Sequence, residues 1–239
     1  MIAIISDIHG NLPALRAVIA CAEKKGCTRI ISLGDVTGYY AQPGECIDIL
    51  RNYNAINLLG NHDEYLITGQ SCPRSKTVSD LIHYQHSVIL PDQLEWLASA
   101  PTSRSEDDKF FVHGGWNNPV DEYLYTISES TLPADRGLYF SGHTHVQVLV
   151  HFSEKTYCNP GAVGQPRDGD PRAAFAVLNG NEITLHRVEY DIDETAFAMK
   201  KAGFPQRLYM NLYSGAQIGG RVDKITIEYN REKTGEVHE

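Results

Sequence analysis

Five short apolar runs in this chain each end in a cluster of small or metal-ligand-type polar residues. A bounded run of this kind predicts a buried strand. In open α/β sheets, ligands bind beyond the carboxyl ends of the strands, so five such clusters can converge on one place at a sheet edge. The clusters are DIH at 7–9, GD at 34–35, GNHD at 60–63, HG at 113–114 and GHTH at 142–145.

The N-terminal part of the chain alternates between strand and helix signals. The apolar runs IAIIS, TRIISLG and NAINLLG are separated by LPALRAVIACAEKK and GECIDILRN, which have helical patterns. Asn11 is a suitable N-cap for the first helix, with Pro13 in its first turn and Gly26 at its end. This β-α-β-α-β order predicts a parallel sheet with crossover helices.

The pattern changes after the GNHD cluster. Residues 64–108 are predicted to be helical, chiefly over TVSDLIHYQHSVI and PDQLEWLAS. The charged segment from about Arg221 onward is expected to fray, after two helical pieces over DETAFAMKKAG and PQRLYMNLYS. Short strands are predicted between these regions, with a hairpin at LNGNE, over KFFVHG, GLYFSG, VQVLVHF, KTYCNP, AAFAVL and EITLHRV.

Length, charge and cysteine usage restrict the kind of protein. A chain of 239 residues suits a single domain over 1–239 that contains 64–108 as an insertion. The net charge is −9 and no basic tract is present, so we expect no long nucleic acid as a partner. The apolar run at the N-terminus is too short for a membrane span or signal peptide. Five cysteines without a CxxC pair predict reduced thiols and a cytoplasmic protein.

The residue types in the clusters are those that bind metal ions. In extended backbone, residues two apart point the same way, so Asp7 and His9 can bind one ion together. His143 and His145 can reach the same ion or two adjacent ions. A single His-x-His is more often an ordinary hydrogen-bonded pair, but five clusters in this order, each after an apolar strand, favour a metal centre.

The set DIHGN, GDVTG, GNHD, VHG and GHTH resembles the calcineurin-like metallophosphoesterases. The stretches SDIHGNLPALRAV and CNPGAVGQPRDGDPRAAFAVL are similar to the small bacterial and archaeal, phosphodiesterase-like branch of that superfamily. The resemblance extends from Met1 to about Leu178. It implies an α/β fold, a four-layer α/β/β/α sandwich of two mixed β-sheets flanked by helices. Because residues 64–108 lie between two of the ligand motifs, our hypothesis is that they form a small helical cap that selects the leaving group.

The resemblance also implies a ligand set and two catalytic residues. His62 would face the substrate and protonate the leaving oxygen or stabilise the transition state, with Asp63 orienting it. The first metal ion would be held by Asp7, His9 and His145, the second by Asn61, His113 and His143, with Asp35 bridging both.

A dinuclear centre suits phosphate chemistry on an acidic protein. Two divalent ions, two aspartates and a bridging hydroxide leave about one positive charge to attract phosphate. Two adjacent ions activate a hydroxide for in-line displacement, so no serine or cysteine nucleophile is needed, and the chain contains neither GxSxG nor a P-loop. The imidazole-rich ligand set favours Mn, Fe, Zn or Ni over Mg or Ca, and Mn is the expected ion.

Purple acid phosphatases of the superfamily carry a ligating tyrosine three residues after the bridging aspartate. Gly38 occupies that position here and Tyr39 follows it, so we expect no tyrosine-bound ferric site. The sequence also departs from its branch at Tyr40-Ala41, where Gly-Pro is frequent, and at Ala162, where Ser is frequent. Both changes fall in loops predicted to lie on the substrate side.

For most candidate substrate contacts the sequence leaves two alternatives open. Arg167, in GQPRDGD, either contacts a second phosphate or a nucleotide, or forms a salt bridge within its loop. Tyr39 and Trp116 either stack on a base or pack in the core, and Asn61 is a further substrate contact. His83 and His86 form either a second metal site or a solvent-facing pair on a helix.

The function predicted from these residues is hydrolysis of a phosphodiester or phosphoanhydride bond in a small, nucleotide-like phosphorylated substrate. The close alternative is a phosphomonoesterase with the same centre, and a more distant one is a scaffold that has lost catalysis. Because every ligand position and His62 are present, an enzyme is the expected outcome. The sequence makes no prediction about the oligomeric state.

Overall fold

A computed structural model describes residues 1–133 and 136–229 of the chain. In these ranges the α-helices are α1 (Leu12–Lys24), α2 (Pro43–Asn52), α3 (Asn61–Thr68), α4 (Lys76–Val88), α5 (Pro91–Ala98) and α6 (Ile192–Lys201). The strands are β1 (Ile2–Ile5), β2 (Arg29–Ser32), β3 (Ile56–Asn57), β4 (Ser103–Glu106), β5 (Lys109–Val112), β6 (Thr126–Ser128), β7 (Gly137–Phe140), β8 (Val148–His151), β9 (Lys155–Asn159), β10 (Ala173–Asn179), β11 (Glu182–Val188) and β12 (Thr226–Glu228).

Two mixed five-stranded sheets form the centre of the molecule. The first has the order β11-β10-β1-β2-β3 and the second β4-β5-β7-β9-β8. In the first sheet β1, β2 and β3 are parallel, with Ile4 opposite Ile31. In the second, β5, β7 and β9 are parallel, with Phe111 opposite Phe140. These four side chains belong to one buried cluster, so the two sheets share a core.

The other faces of the sheets are also covered. Helices α1 and α2 pack against Ala3 and Ile5 on the first sheet, in a buried cluster of their own. On the second sheet, Tyr139 and Tyr157 are covered by residues of the segment between β5 and β7. The predicted fold class, an α/β sandwich of two mixed sheets with flanking helices, is confirmed.

The predicted start of α1 is confirmed in detail. The side chain of Asn11 accepts a hydrogen bond from the backbone N–H of Ala14 at 3.3 Å, and Pro13 lies in the first turn. Gly26 follows the last turn with φ +83°, a left-handed conformation that glycine adopts without steric cost.

Two predictions about local structure were wrong. Residues 64–108 are not helical throughout, because Ser103–Glu106 forms β4, antiparallel to β5. The sequence SRSE lacks the apolar alternation that predicts a strand, and the strand is formed by pairing with its neighbour. The segment after Arg221 does not simply fray either, because β12 pairs in parallel with β6; residues 230–239 lie outside the described part.

Two further features concern the cysteines and the lengths of the helices. The five cysteines form no disulfide, and Cys158 is fully buried in the core between the sheets. Within residues 1–133 and 136–229, none of the helices has both the length and the apolar character needed to cross a bilayer.

Candidate metal centre

The predicted ligand residues come together at the carboxyl ends of strands from both sheets. Asp7 and His9 follow β1, and Asp35 follows β2. Asn61 and His62 open α3, which begins shortly after β3. His113 follows β5, and His143 and His145 follow β7. All are at most 5% exposed, so the site lies inside the protein.

The backbone that carries these ligands is not extended, and the extended-strand argument for Asp7–His9 and His143–His145 was wrong. Seven described non-glycine residues have positive φ, and five of them belong to the site. This conformation costs an L-residue roughly 1–3 kcal/mol and persists where surrounding structure enforces it, often at functional sites. The five site residues are Asp7 (φ 55°), His9 (56°), Asp35 (54°), His143 (66°) and His145 (58°).

Asp7, His9 and His145 form one group of ligand atoms. The Nε2 of His145 lies 3.2 Å from Asp7 Oδ1 and 3.1 Å from His9 Nε2. The Nδ1 atoms of the two rings lie at hydrogen-bonding distance from backbone carbonyls, Thr37 at 2.7 Å for His9 and Gln165 at 2.6 Å for His145. Donation from Nδ1 leaves each Nε2 as an acceptor, the form in which histidine binds a metal ion.

Asp35, His113 and His143 form a second group, with Asn61 beside it. The Nε2 of His113 lies 3.4 Å from Asp35 Oδ2, 3.2 Å from His143 Nδ1 and 3.3 Å from Asn61 Oδ1. His113 Nδ1 faces the Leu33 carbonyl at 3.1 Å, so its Nε2 is directed to the group.

Asp35 lies between the two groups. Its Oδ1 accepts a hydrogen bond from the backbone N–H of His62 at 2.9 Å, in the first turn of α3. Its Oδ2 lies 3.8 Å from His9 Nε2 and 3.4 Å from His113 Nε2, one from each group. This is the position that a carboxylate shared by two ions requires.

The donor set fits divalent cations. Asp7 Oδ1 and Asp35 Oδ2 are buried and make no hydrogen bond, although each carboxylate is anchored through its other oxygen. A buried, unsatisfied carboxylate oxygen is costly unless it is paired or coordinates a metal ion. Both oxygens point toward imidazole nitrogens rather than toward donors of the surrounding protein.

The charges of the site also favour a cation. Burial opposes ionisation of Asp7 and Asp35, but His145 near Asp7 and His113 near Asp35 hold both pKa values well below their usual range. Burial lowers the pKa of His9. For His113, burial opposes protonation but the Asp35 carboxylate outweighs it and raises the pKa to about 9. Metal binding would therefore displace a proton from His113.

His62 is placed beside the centre, but Asp63 does not orient it. The Nε2 of His62 lies 4.0 Å from Asp35 Oδ2, and its Nδ1 has no hydrogen-bond partner. Burial lowers its pKa to about 4. The Asp63 carboxylate instead accepts hydrogen bonds from the Thr37 N–H at 2.9 Å, the Thr37 hydroxyl at 2.8 Å and the Val36 N–H at 3.3 Å. Asp63 therefore holds the loop after β2, and the predicted contact with the His62 ring is absent among the described residues.

A cavity of about 530 Å³ opens beside the centre. All three predicted substrate contacts line it: Arg167, Tyr39 and Asn61, together with His62. Trp116 does not contribute to its lining, because its ring packs against Tyr139 and Tyr157 in the core. Of the two alternatives for Trp116, base stacking and core packing, the structure supports core packing.

The residues that surround His143 were not predicted from the sequence. Its Nε2 makes no hydrogen bond, and Asp121 Oδ1 lies 3.4 Å from it. Asp121 is held in turn by Arg74 at 3.0 Å. The ring of Tyr123 stacks on His143 with centroids 3.7 Å apart. Asp121 and Tyr123 follow no apolar strand and belong to no recognisable motif, so no signal in one sequence marked them.

His83 and His86 are exposed on α4 and belong to none of the potential metal-binding groups in the described ranges. The solvent-facing alternative is therefore the one that the structure supports.

Comparisons with known proteins identify the family of this chain. The family described as the calcineurin-like phosphoesterase superfamily domain matches residues 1–182. A metallophosphoesterase from Sphaerobacter thermophilus superposes with a TM-score of 0.80 at 35% identity, over 90% of this chain and 99% of that one. An uncharacterized protein of Methanocaldococcus jannaschii is 33% identical over 90% of this chain and 98% of its own length. The phosphodiesterase YfcE of Escherichia coli is 24% identical over 75% of this chain and 88% of its own length.

The chain therefore belongs to the calcineurin-like phosphoesterase superfamily. It is a metallophosphoesterase, a metal-dependent hydrolase of phosphoric esters, and it has phosphodiesterases among its relatives.

Proposed function

We propose that this protein hydrolyses a phosphodiester or phosphoanhydride bond in a small, nucleotide-like substrate at a dinuclear metal centre. The observation that carries the proposal is the position of Asp35 Oδ2, within 3.8 Å of His9 Nε2 and 3.4 Å of His113 Nε2. One carboxylate oxygen faces both ligand groups, as a bridge between two ions requires. The cavity that opens beside these residues is large enough for a small substrate.

The proposed metal ligands are the seven predicted from the sequence. Asp7, His9 and His145 would hold one ion, Asn61, His113 and His143 the other, and Asp35 both. Two bound divalent ions supply Lewis acidity that lowers the pKa of a water nucleophile and offsets the charge of the phosphoryl group. The four imidazoles and one amide in this set favour transition metals, and Mn is the ion we propose, with Fe, Zn and Ni as alternatives.

His62 is the proposed proton donor to the leaving oxygen. Its ring lies at the wall of the cavity. Its Nδ1 makes no hydrogen bond, so this nitrogen can still donate a proton to a ligand or accept one from it. Its environment holds the ring neutral in the absence of ligand, with a pKa of about 4. A phosphoryl dianion beside it would favour the protonated ring, from which the proton can pass to the leaving oxygen.

The test uses chelated protein reloaded with Mn. Metal content is measured first, followed by hydrolysis of bis-p-nitrophenyl phosphate, p-nitrophenyl phosphate and diadenosine tetraphosphate. The proposal expects two ions per chain and Mn-dependent turnover of the diester or the polyphosphate. Faster turnover of the monoester would support the phosphomonoesterase alternative. Two bound ions without turnover of any of the three would contradict the proposal and favour a scaffold.

A further inference from the structure

The cavity beside the candidate metal centre is cationic, although the chain as a whole carries a net charge of −9. Among the described residues, its lining contains three arginines and no aspartate or glutamate. An arginine that contacts phosphate offers several N–H donors in a planar fork, so this lining is suited to anionic groups of a ligand. The three arginines are Arg74, Arg167 and Arg221.

Two of the three arginines already have carboxylate partners. Arg74 pairs with Asp121, and Arg221 pairs with Asp223 at 2.9 Å. Arg167 has no such partner in the part of the chain that the structure describes. Among the described residues, it is therefore the one cavity arginine without a salt bridge to an acidic side chain.

The hydrogen bonds of Arg167 hold its guanidinium in place without neutralising it. Nε and Nη2 donate to Gln165 Oε1 at 3.0 and 2.8 Å, and Nη2 also donates to the Tyr39 hydroxyl at 3.1 Å. Nη1 donates to none of the described residues. The residue is only 5% exposed, and that exposure is toward the cavity. Burying a charge without a counter-charge is unfavourable, so a preoriented, uncompensated guanidinium points to an anionic ligand.

Tyr39 contacts both the Arg167 guanidinium and the histidines of the catalytic region. Its ring centroid lies 4.9 Å from that of His62 and 4.7 Å from that of His9, and its hydroxyl accepts the Arg167 hydrogen bond. The backbone N–H of Arg167 donates to the His145 carbonyl at 3.2 Å, so the loop that carries Arg167 is attached to a candidate metal ligand. Arg167 thus lies next to the centre but is separated from it by a phenol ring.

We infer that Arg167 binds a second phosphoryl group of the substrate, adjacent to the one that is attacked, so that the substrate is a diphosphate ester with a phosphoanhydride link. The inference rests on the proposed function and narrows its substrate class. Hydrolysis breaks the P–O bond of the anhydride: the oxygen of water adds to the attacked phosphorus, and the bridging oxygen leaves with the second phosphate and takes up a proton. Arg167 holds the phosphate that leaves.

The experiment compares two substrates that share an adenylyl group. Diadenosine diphosphate has the anhydride and yields two AMP, whereas the p-nitrophenyl ester of AMP has one phosphate. Mn-loaded wild type and Arg167→Gln are compared by kcat/KM on both. We expect kcat/KM of Arg167→Gln to fall about 10- to 100-fold on the diphosphate, which is the contribution of hydrogen bonds to a charged group. The loss of kcat/KM on the ester should be several-fold smaller. Arg172→Gln is the matched control, because Arg172 is exposed on the same loop and pairs with Asp170.

Equal losses on both substrates would overturn the inference, since they would mean that Arg167 acts on the attacked phosphoryl group or on the fold. Wild-type protein that hydrolyses the ester but not the diphosphate would overturn it as well. Wild-type protein that hydrolyses neither would instead contradict the proposed function itself.

A binding measurement on metal-free protein gives a readout that does not depend on turnover. Because the ions that would attract the attacked phosphoryl group are absent, inorganic pyrophosphate should bind through Arg167, and Arg167→Gln should weaken this binding by calorimetry while its melting temperature stays close to that of the wild type. Arg167→Lys, which keeps the charge but not the fork, should bind pyrophosphate with intermediate affinity. Equal pyrophosphate affinities of the wild type and Arg167→Gln would contradict the inference.

Discussion

The Nε2 atoms of His9 and His145 lie 3.1 Å apart, although 136 residues separate the two positions. Each ring directs its Nδ1 to a backbone carbonyl, of Thr37 and Gln165 respectively, which places the ring proton there. When both rings are neutral, two nitrogen lone pairs face each other, an arrangement that is repulsive unless a proton or a metal ion lies between them. The carbonyls of two distant loops thus favour the tautomers that make this pair a candidate metal site.

Asp35→Asn is expected to lower the affinity of both metal positions and to abolish turnover, because the neutral amide removes the charge that faces both ligand groups. Metal content per chain after dialysis, measured by elemental analysis, checks it. Asp80→Asn is the control, since Asp80 is exposed on α4 and pairs with Lys76 at 2.8 Å. Full metal content in Asp35→Asn would contradict the bridging role.

His62→Ala is expected to retain its metal ions and to lose about 10²–10⁴-fold in kcat, the usual contribution of positioned proton transfer. The loss should be smaller for substrates with a good leaving group such as p-nitrophenolate, which needs little protonation. His83→Ala, at an exposed site on α4, serves as the control. A variant with wild-type kcat on a poor leaving group would show that His62 has another role.

Asp121→Asn is expected to lower metal affinity about 10- to 100-fold without changing any proposed ligand, because partners that orient a ligating histidine contribute on this scale. Asp121 Oδ1 lies 3.4 Å from His143 Nε2, on the side of the ring opposite to the proposed ligand atom Nδ1. Competition titration with a chelator measures the affinity. Asp108→Asn, which changes an exposed carboxylate beside Lys109, is the control. Equal affinities in wild type and Asp121→Asn would exclude this role.

Gly38→Ala is expected to reduce kcat/KM by about 100-fold, since displacement of catalytic groups by an ångström has effects of this size. A Cβ at this position would lie 2.5 Å from His9 Nδ1 and 2.6 Å from His62 Nδ1. Gly180→Ala is the control for general effects of adding a Cβ at a glycine with positive φ, +60°, because a Cβ there would meet no atom within 4 Å. If both variants lost activity alike, a general loss of stability rather than the contact with the histidines would be responsible.

The stability of the metal-free protein should depend on His62 in mildly acidic solution. Burial lowers the pKa of His62 to about 4, below its unfolded value of 6.5. A buried histidine with a lowered pKa imposes no penalty above the unfolded pKa, and stability is lost as the pH falls from 6.5 toward 4, because the unfolded chain binds the proton first. The wild type should lose up to about 3 kcal/mol relative to His62→Gln over this range. Urea unfolding of both proteins at several pH values measures the difference, and parallel stability curves would contradict it.

The sequence by itself determined the β-α-β-α-β order of the N-terminal part, the family and the residues that gather at the site. This was possible because apolar runs and the polar clusters after them are local patterns, as in the stretch from β1 to His9. The metal-ligand roles of these residues stay predictions until metal binding is measured.

Only the tertiary structure decided how the ligand side chains are oriented. The left-handed backbone at His143 and His145 arises from packing of the loop after β7 and not from a strand, so periodicity could not predict it. The pairing of β12 with β6, and the placement of Asp121 beside His143, depend on contacts between segments far apart in the chain. Asp63 contacts the loop after β2 instead of His62 for the same reason. A side chain forms hydrogen bonds with groups that folding brings close to it, and local sequence patterns do not reveal which groups those are.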